Sequence, residues 1–368
     1  MQEWDAIVVG GSFAGLAAAM ELAGHGRTLL LDKDPIGAHQ TSACATPVAV
    51  LERLQLTETI AQVHETLHLH LPGGRVRTYR PDFAFATFDY RALCQGLALR
   101  TDAEIVEARV TGVVNGAIET RQGTHHAPIV IDASGWRAVL GGALAPGTRP
   151  GAARTNGLEA VLSGEPQGLH FWIGDDLARD GYLWDFPAGG VSRIGLIRYG
   201  SGGALKPRLE QFVDRAVPAG QVHGGVLPAA LGRGVAGDAF LTGDAAGLCL
   251  PLTGEGIRPA LVFGQIAGRL AARVIEGRLP LRTALETYAE MIRGRRIALK
   301  YGILAQVERR MRHLPGPVID ATAWYFGAGP LAARCQAAYW RIAPAEWLRP
   351  GGVAVQPADL DRYTSTYV

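Results

Sequence analysis

The chain has 368 residues, of which 48% are apolar and 19% charged, and a net charge of +2. That balance supports a sizeable core over two or three packed units; it excludes a disordered chain and a nucleic-acid binder with a clustered basic face. Four cysteines (Cys44, Cys94, Cys249 and Cys335), none in a CxxC pair, argue against a metal site, a dithiol centre or a disulfide framework.

The N-terminus reads directly as a strand, with no basic stretch leading to a cleavage site. The apolar stretch 6–19 is interrupted by glycines and is too short to span a bilayer. A reduced, cytoplasmic protein is expected, with peripheral membrane contact left open. Residues 5–9 form a short apolar run ending at Gly10-Gly11, the pattern of a buried parallel strand. Residues 14–22 have helix-forming composition, and 27–31 form a second apolar strand closed by Asp32. Strand, glycine turn, helix and strand make the βαβ unit of a nucleotide-binding fold. Leu67, Leu69 and Leu71 then alternate with His68 and His70, Pro72-Gly73-Gly74 follows, and Val76 and Tyr79 alternate with Arg75, Arg77 and Thr78. This predicts a β-hairpin that begins a second domain. A helix is expected over 90–100, strands over 105–114, 117–120 and 129–132, and an antiparallel sheet over 145–230 with strands at 169–173, 182–186 and 194–199. Residues 240–242 enter a glycine turn, 256–276 make a long helix, and 280–345 read as helical, with basic runs at 293–296 and 308–312.

The predicted fold is α/β. A Rossmann-like nucleotide-binding domain (1–60, 81–145 and 235–295) carries an inserted antiparallel-sheet substrate domain (61–80 and 146–234) and is followed by a helical C-terminal region (296–368). The cofactor follows from two motifs. In Gly10-Gly11-Ser12-Phe13-Ala14-Gly15, Gly10 and Gly15 take the outer glycine positions of a dinucleotide fingerprint and Ser12 replaces the middle one. The helix that follows aims free N–H groups at a pyrophosphate. Asp32, followed by Lys33, is spaced to accept hydrogen bonds from ribose hydroxyls. The second motif runs Gly243-Asp244-Ala245-Ala246-Gly247 and then Pro251-Leu252-Thr253-Gly254-Glu255-Gly256-Ile257. Asp244 can bind the ribityl chain, while Gly254 and Gly256 open a helix whose N–H groups face the flavin pyrimidine carbonyls. A positive helix end there favours the reduced, anionic flavin. Either segment alone would pass for an ordinary glycine turn; together they point to FAD.

Tyr182, Trp184 and Phe186 alternate along one strand, so three rings share a face. They line either the sheet's own core or an apolar substrate cavity above the flavin.

These segments resemble the geranylgeranyl reductase family, within the wider class that includes aromatic hydroxylases. The resemblance covers about residues 1–300 and rests on Gly10–Gly15, Asp32, Ser42-Ala43-Cys44, Asp132-Ala133-Ser134-Gly135-Trp136, Tyr182 to Pro187 (the family's Tyr-x-Trp-x-Phe-Pro) and Gly243 to Ile257. It implies hydride transfer from reduced FAD, with a proton from a nearby donor, to an isolated C=C bond of a prenyl chain. It also implies that Cys44 lies near the flavin ring as a proton donor or shaping group, with Tyr182 and Trp184 as catalytic candidates and Phe186 and Trp172 on the substrate. Cys94, Cys249 and Cys335 are expected to pack, and His39 to be a loop histidine. Gly247 stands where hydroxylases carry His, and Arg258 where they carry Asn; both differences favour the reductase branch. Phe85 and Ala86 occupy the place of a family arginine, so its FAD contact is absent or comes from Arg80 or Arg91.

The alternatives are an FAD-dependent monooxygenase or halogenase-like enzyme using NAD(P)H and O₂, and a flavin-containing binding protein without turnover. No second dinucleotide fingerprint is present, so electrons are expected from transiently bound NAD(P)H or a ferredoxin-like redox partner. The basic C-terminal runs read as solvated helix faces, or as contacts for anionic lipid or an acidic redox partner.

Overall fold

The apolar run Ala6–Val9 is buried along its whole length and pairs in parallel with Thr28–Asp32 on one side and Ile129–Asp132 on the other. A strand covered on both faces needs no polar alternation, which is why its sequence shows none. The computed structural model describes residues 4–327 and 339, apart from 41, 146–153, 165–166, 175–176, 178, 201–202 and 312. In it, six strands form one sheet in the order Val235–Ala236, Ala239–Leu241, Ile129–Asp132, Ala6–Val9, Thr28–Asp32 and Glu104–Glu107. All neighbours in it are parallel except the edge strand Val235–Ala236. The helix Phe13–Leu22 packs on this sheet and lies against the long helix Ile257–Ile275. The two backbones meet at Gly264, where a Cβ would lie 2.3 Å from the Ala14 carbonyl oxygen.

The strand expected over 105–114 is two strands. Glu104–Glu107 closes the parallel sheet, whereas Val110–Val114 joins Ala117–Thr120 and Gly123–His125 in a separate antiparallel sheet. Asn115 and Gly116, both at positive φ (51° and 77°), make the tight hairpin turn that sets this second direction.

The inserted sheet has seven strands, in the order Val222–Pro228, Arg154–Ser163, Val191–Tyr199, Gly181–Pro187, Leu169–Ile173, Leu67–Leu71 and Arg75–Tyr79. The hairpin of Leu67–Leu71 and Arg75–Tyr79 forms as expected. The sheet is not purely antiparallel, however. Leu67–Leu71 joins Leu169–Ile173 in parallel, because the hairpin comes from far upstream and adds at the edge. One face packs against the helix Leu205–Val213. The other carries the aromatic residues and turns towards the loops of the FAD-type sheet. A three-stranded sheet of Ala45–Pro47, Phe85–Phe88 and Ile60–His64 bridges the two. Thr87 donates its hydroxyl to the Pro187 carbonyl at 2.6 Å, fixing the end of the aromatic strand.

Helices Leu281–Arg293, Arg295–Met311 and Gly316–Gly327 follow. The last returns to the hairpin: Arg75 and Arg77 bond Asp320 at 2.5 and 2.7 Å, and the Tyr79 hydroxyl donates to the Ala323 carbonyl at 2.8 Å. Apart from Tyr339, the expected helical stretch beyond 327, with Cys335, lies outside the described residues. Among the described residues, no helix is long and apolar enough to cross a membrane.

Candidate active site

At the adenosine end the turn after the first strand passes against the strand Ile129–Asp132. Gly10 has φ 108°, and a Cβ there would lie 2.2 Å from the Ala133 carbonyl oxygen, so only glycine fits. Asp32 closes the second strand with its carboxylate held by two backbone donors, Gly11 N–H at 2.5 Å and Asp34 N–H at 2.9 Å. Its remaining lone pairs can accept from a diol. The Ser12 hydroxyl meets the Tyr90 hydroxyl at 3.1 Å, and no side chain caps the helix that begins at Phe13. The first-turn N–H groups are therefore available to a phosphate. Ala14 touches the other motif: a Cβ on Gly243 would lie 2.9 Å from its methyl group.

Two of the expected cofactor contacts point elsewhere. The Phe13 ring is buried edge-on against Phe88 and Tyr90, with centroids 6.2 and 5.4 Å away, so only its backbone can serve a phosphate. The Lys33 ammonium pairs with Asp34 at 2.8 Å on the surface. Gly37 packs against the Arg91 backbone, which places Arg91 beside the loop that follows the second strand.

At the flavin end, Asp244 lies in the turn Gly243–Ala246. Burial raises its carboxyl to about 6, and no donor among the described residues bonds it. The following loop is bent through left-handed positions at Leu252 (φ 73°) and Gly254 (φ 63°). Two tyrosines of the inserted sheet hold it: Tyr199 donates to the Leu252 carbonyl and Tyr182 to the Thr253 carbonyl, each at 2.5 Å. The left-handed φ of Gly254 favours glycine, and a Cβ there would also crowd the end of the Ile197 side chain at 2.8 Å. Gly256 starts the helix Ile257–Ile275 without a side-chain cap, leaving its N–H groups open.

Glu255 and Ile257, expected on the cofactor, face into the protein. Glu255 accepts from the buried Arg258 at 2.6 Å and from the Tyr339 hydroxyl at 2.9 Å. Ile257 joins the main core, and Pro251 is buried. These residues hold the loop from behind. The unbonded Asp244 carboxylate, the diol-ready Asp32, the uncapped helix starts and the side-chain-free turns are groups that would hold FAD.

The Tyr182, Trp184 and Phe186 rings lie in a row with centroids 6.0 and 6.2 Å apart. Phe171 joins them, 6.1 Å from Tyr182 and 5.1 Å from Phe186. Trp172 does not. It pairs across the ladder with Leu183, and Phe171 pairs with Trp184, so strand alternation sends Trp172 to the opposite face. There it stacks on His70 at 4.3 Å and meets Phe212 at 4.9 Å. Phe171 takes the wall position expected of Trp172; only the pairing register reveals this.

Cys44 is completely buried, with φ 54°, a left-handed conformation uncommon for a residue with a side chain. Its thiol donates to the Ser42 carbonyl at 3.3 Å. Burial pushes the thiol far above its usual range, with Arg193 opposing that rise, so Cys44 is a neutral S–H. Its neighbours Ala43 and Ala45 pack against the aromatic cluster, while Cys44 itself lies in the main core. Cys94 and Cys249 are buried, and His39 is an exposed loop residue beside Asp34. Glu159, which the sequence did not single out, accepts the Trp184 indole N–H at 3.0 Å. Among the described residues, no cluster of His, Cys, Asp and Glu is placed to hold a metal ion.

No protein-family model matches the chain. Among solved structures, a geranylgeranyl bacteriochlorophyll reductase-like protein from Thermoplasma acidophilum superposes with a TM-score of 0.78 at 20% identity, covering 92% of this chain and 100% of that one. A myxobacterial FAD-dependent halogenase superposes with a TM-score of 0.65 at 15% identity, over 100% of this chain and 97% of that one. Both likenesses show the fold. The chain is also similar in sequence to digeranylgeranylglycerophospholipid reductase 2 of Methanopyrus kandleri, with 30% identity over 312 residues that span 74% of this chain and 78% of that enzyme. On that relationship and this fold, the chain belongs to the geranylgeranyl reductase family of FAD-dependent oxidoreductases.

Proposed function

We propose that the enzyme reduces isolated C=C bonds in a prenyl or other polyene-like apolar substrate. The observation that carries this reading is the aromatic wall joined to the flavin loop. Tyr182 presents its ring to the wall and its hydroxyl to the Thr253 carbonyl, so one residue serves both faces. A row of rings whose one charged partner, Glu159, takes the Trp184 indole N–H suits an extended apolar chain. The similar archaeal enzymes are named for a lipid bearing such chains, which supports a prenyl lipid here.

FAD, once bound and reduced, supplies the hydride. The chain's own residues do the rest. Asp32, Asp244 and the glycine turns bind the cofactor. Tyr182, Trp184, Phe186 and Phe171 orient the alkene and exclude water. Cys44 holds the proton at Sγ, where a neutral thiol is a donor rather than a nucleophile. NAD(P)H or a ferredoxin-like protein is the electron donor in this reading. Peripheral contact with an anionic lipid surface is supported by the helix Arg295–Met311, which exposes Leu299 and Ile303 among Arg295, Arg309 and Arg310.

The test is anaerobic reduction of the FAD-loaded enzyme followed by addition of geranylgeranyl lipids and other polyenes. Reoxidation of the flavin with formation of a hydrogenated product is expected. A reduced flavin that persists with every polyene, but is reoxidised by O₂ to give a hydroxylated product, would establish the monooxygenase reading instead.

A further inference from the structure

We infer that Arg193 is the counter-charge that lets Cys44 release its proton, and that Glu159 is the positioning residue holding Arg193, Trp184 and the Cys44 loop in one frame. The inference rests on the C=C reduction proposed above. It concerns a buried charged cluster that cofactor binding does not require.

Glu159 is 3% exposed in the middle of the inserted sheet. It lies directly across the ladder from Gly195, and Gly195 from Trp184. A Cβ on Gly195 would come within 2.2 Å of the indole, so the missing side chain is what allows Trp184 to lie across this strand and reach the carboxylate. One carboxylate oxygen takes the indole N–H at 3.0 Å. The other lies 2.9 Å from His223 Nε2, 3.4 Å from Arg193 Nη1 and 3.4 Å from Gln40 Nε2. Gln40 donates also to the Ser42 carbonyl at 2.8 Å, the same oxygen that accepts the Cys44 thiol. Ser42 Oγ accepts the Cys44 backbone N–H at 3.2 Å. An unbroken series of polar contacts therefore runs from the aromatic wall, through Glu159 and Gln40, to the sulfur.

An ionised group buried in a sheet is costly unless it is paired, and buried ionic clusters concentrate at functional sites. Arg193 is 9% exposed, and its Nε has no acceptor among the described residues. That unused donor is what an anion forming nearby would need. When the Cys44 S–H bond breaks, its proton goes to one alkene carbon as hydride reaches the other, and the electron pair stays on sulfur. The resulting thiolate sits in a buried, apolar place. The fields that reach this sulfur have the required signs: burial dominates and disfavours the thiolate, Arg193 favours it, and Glu159 disfavours it. Glu159 therefore does not promote the chemistry by its charge; it holds Arg193 and Trp184 in place.

Two measurements test this on the FAD-loaded enzyme. The first is the infrared S–H stretch of Cys44, identified by its loss in Cys44→Ser. Arg193→Gln and Glu159→Gln remove charges of opposite sign, so they are expected to shift the band in opposite directions, while Arg193→Lys leaves it near its original position. A band unmoved by either neutralising change overturns the inference whether or not the enzyme reduces alkenes. The second is a double-mutant cycle on anaerobic single turnover with a geranylgeranyl glycerol ether. Arg193→Gln is expected to slow the reaction by about tenfold or more when Cys44 is present, and by less than about twofold in the Cys44→Ser background. Equal slowing in both backgrounds makes Arg193 merely structural and overturns the inference. A wild-type enzyme that leaves the ether untouched refutes the proposed reaction, and the infrared result still decides whether the cluster acts on the sulfur.

Discussion

Acidification is expected to weaken FAD binding, and Asp244 sets the range over which it does so. Its carboxyl stands at about 6 through burial, without a bonded donor among the described residues. A ribityl hydroxyl donating to this group stabilises the ionised form and brings the value back towards the ordinary carboxylate range of about 4. The sign follows. Below about 6 the FAD-free protein carries a proton here that binding must expel, so affinity rises as the pH rises through that value. With values of about 6 free and about 4 bound, affinity at about pH 5 is roughly tenfold lower than at about pH 7. In the apoprotein the raised value also makes the group unfavourable to folding once it ionises: the stability present below the unfolded value of about 4 is lost as the pH rises through about 6. Asp244→Asn removes both effects, giving weaker binding that does not vary over this window. Titrating apoprotein with FAD at constant ionic strength, with fluorescence as the signal, measures the slope. The same slope in Asp244→Asn, or tighter wild-type binding at the acid end, would refute the assignment.

Tyr182→Phe keeps the ring but removes the bond to the half-buried Thr253 carbonyl, which costs about 1 kcal/mol. FAD affinity should fall while the KM for substrate is nearly unchanged; unaltered affinity and unaltered denaturant stability would show that the bond does not hold the loop. Gly264→Ala forces the long helix off the Ala14 carbonyl and should destabilise the enzyme by about 1–3 kcal/mol in denaturant unfolding, as overpacking does. Trp172→Leu should lower stability without changing substrate specificity, because that ring faces the helix Leu205–Val213; a changed product pattern would return Trp172 to the substrate face.

The parts of the site that were legible in the sequence are those made by short spans of chain. Gly10 to Gly15, Asp32 and the Gly243 to Gly256 segment each fold on local rules: a turn that only glycine permits, a carboxylate at a strand end, an uncapped helix start. The hairpin after residue 67 was equally local. What stayed hidden depends on which strand lies beside which. Trp172 was assigned to the wrong face because its direction follows from pairing with Leu183. Nothing in the sequence singles out Glu159; its role depends on Gly195 and Trp184 lying across the sheet from it. Phe13, Glu255 and Ile257 stand at motif positions, but their neighbours Tyr90, Arg258 and the main core turn the side chains inward. The left-handed backbone of Cys44 has no signature in a residue with a side chain.

The division of the flavin site between Gly10 and Gly256 makes cofactor occupancy a report on the whole fold. The first strand is flanked by Ile129–Asp132, which in turn requires Ala239–Leu241, so neither half of the site is complete until residues far apart in the chain have met. A ligand that needs both halves binds the native state and not its partly folded precursors. By mass action, free FAD at about a thousand times its dissociation constant adds about 4 kcal/mol to native stability. Bound-flavin absorbance would thus count FAD-loaded native molecules, and cells short of flavin are expected to hold less of this enzyme as well as a less active one.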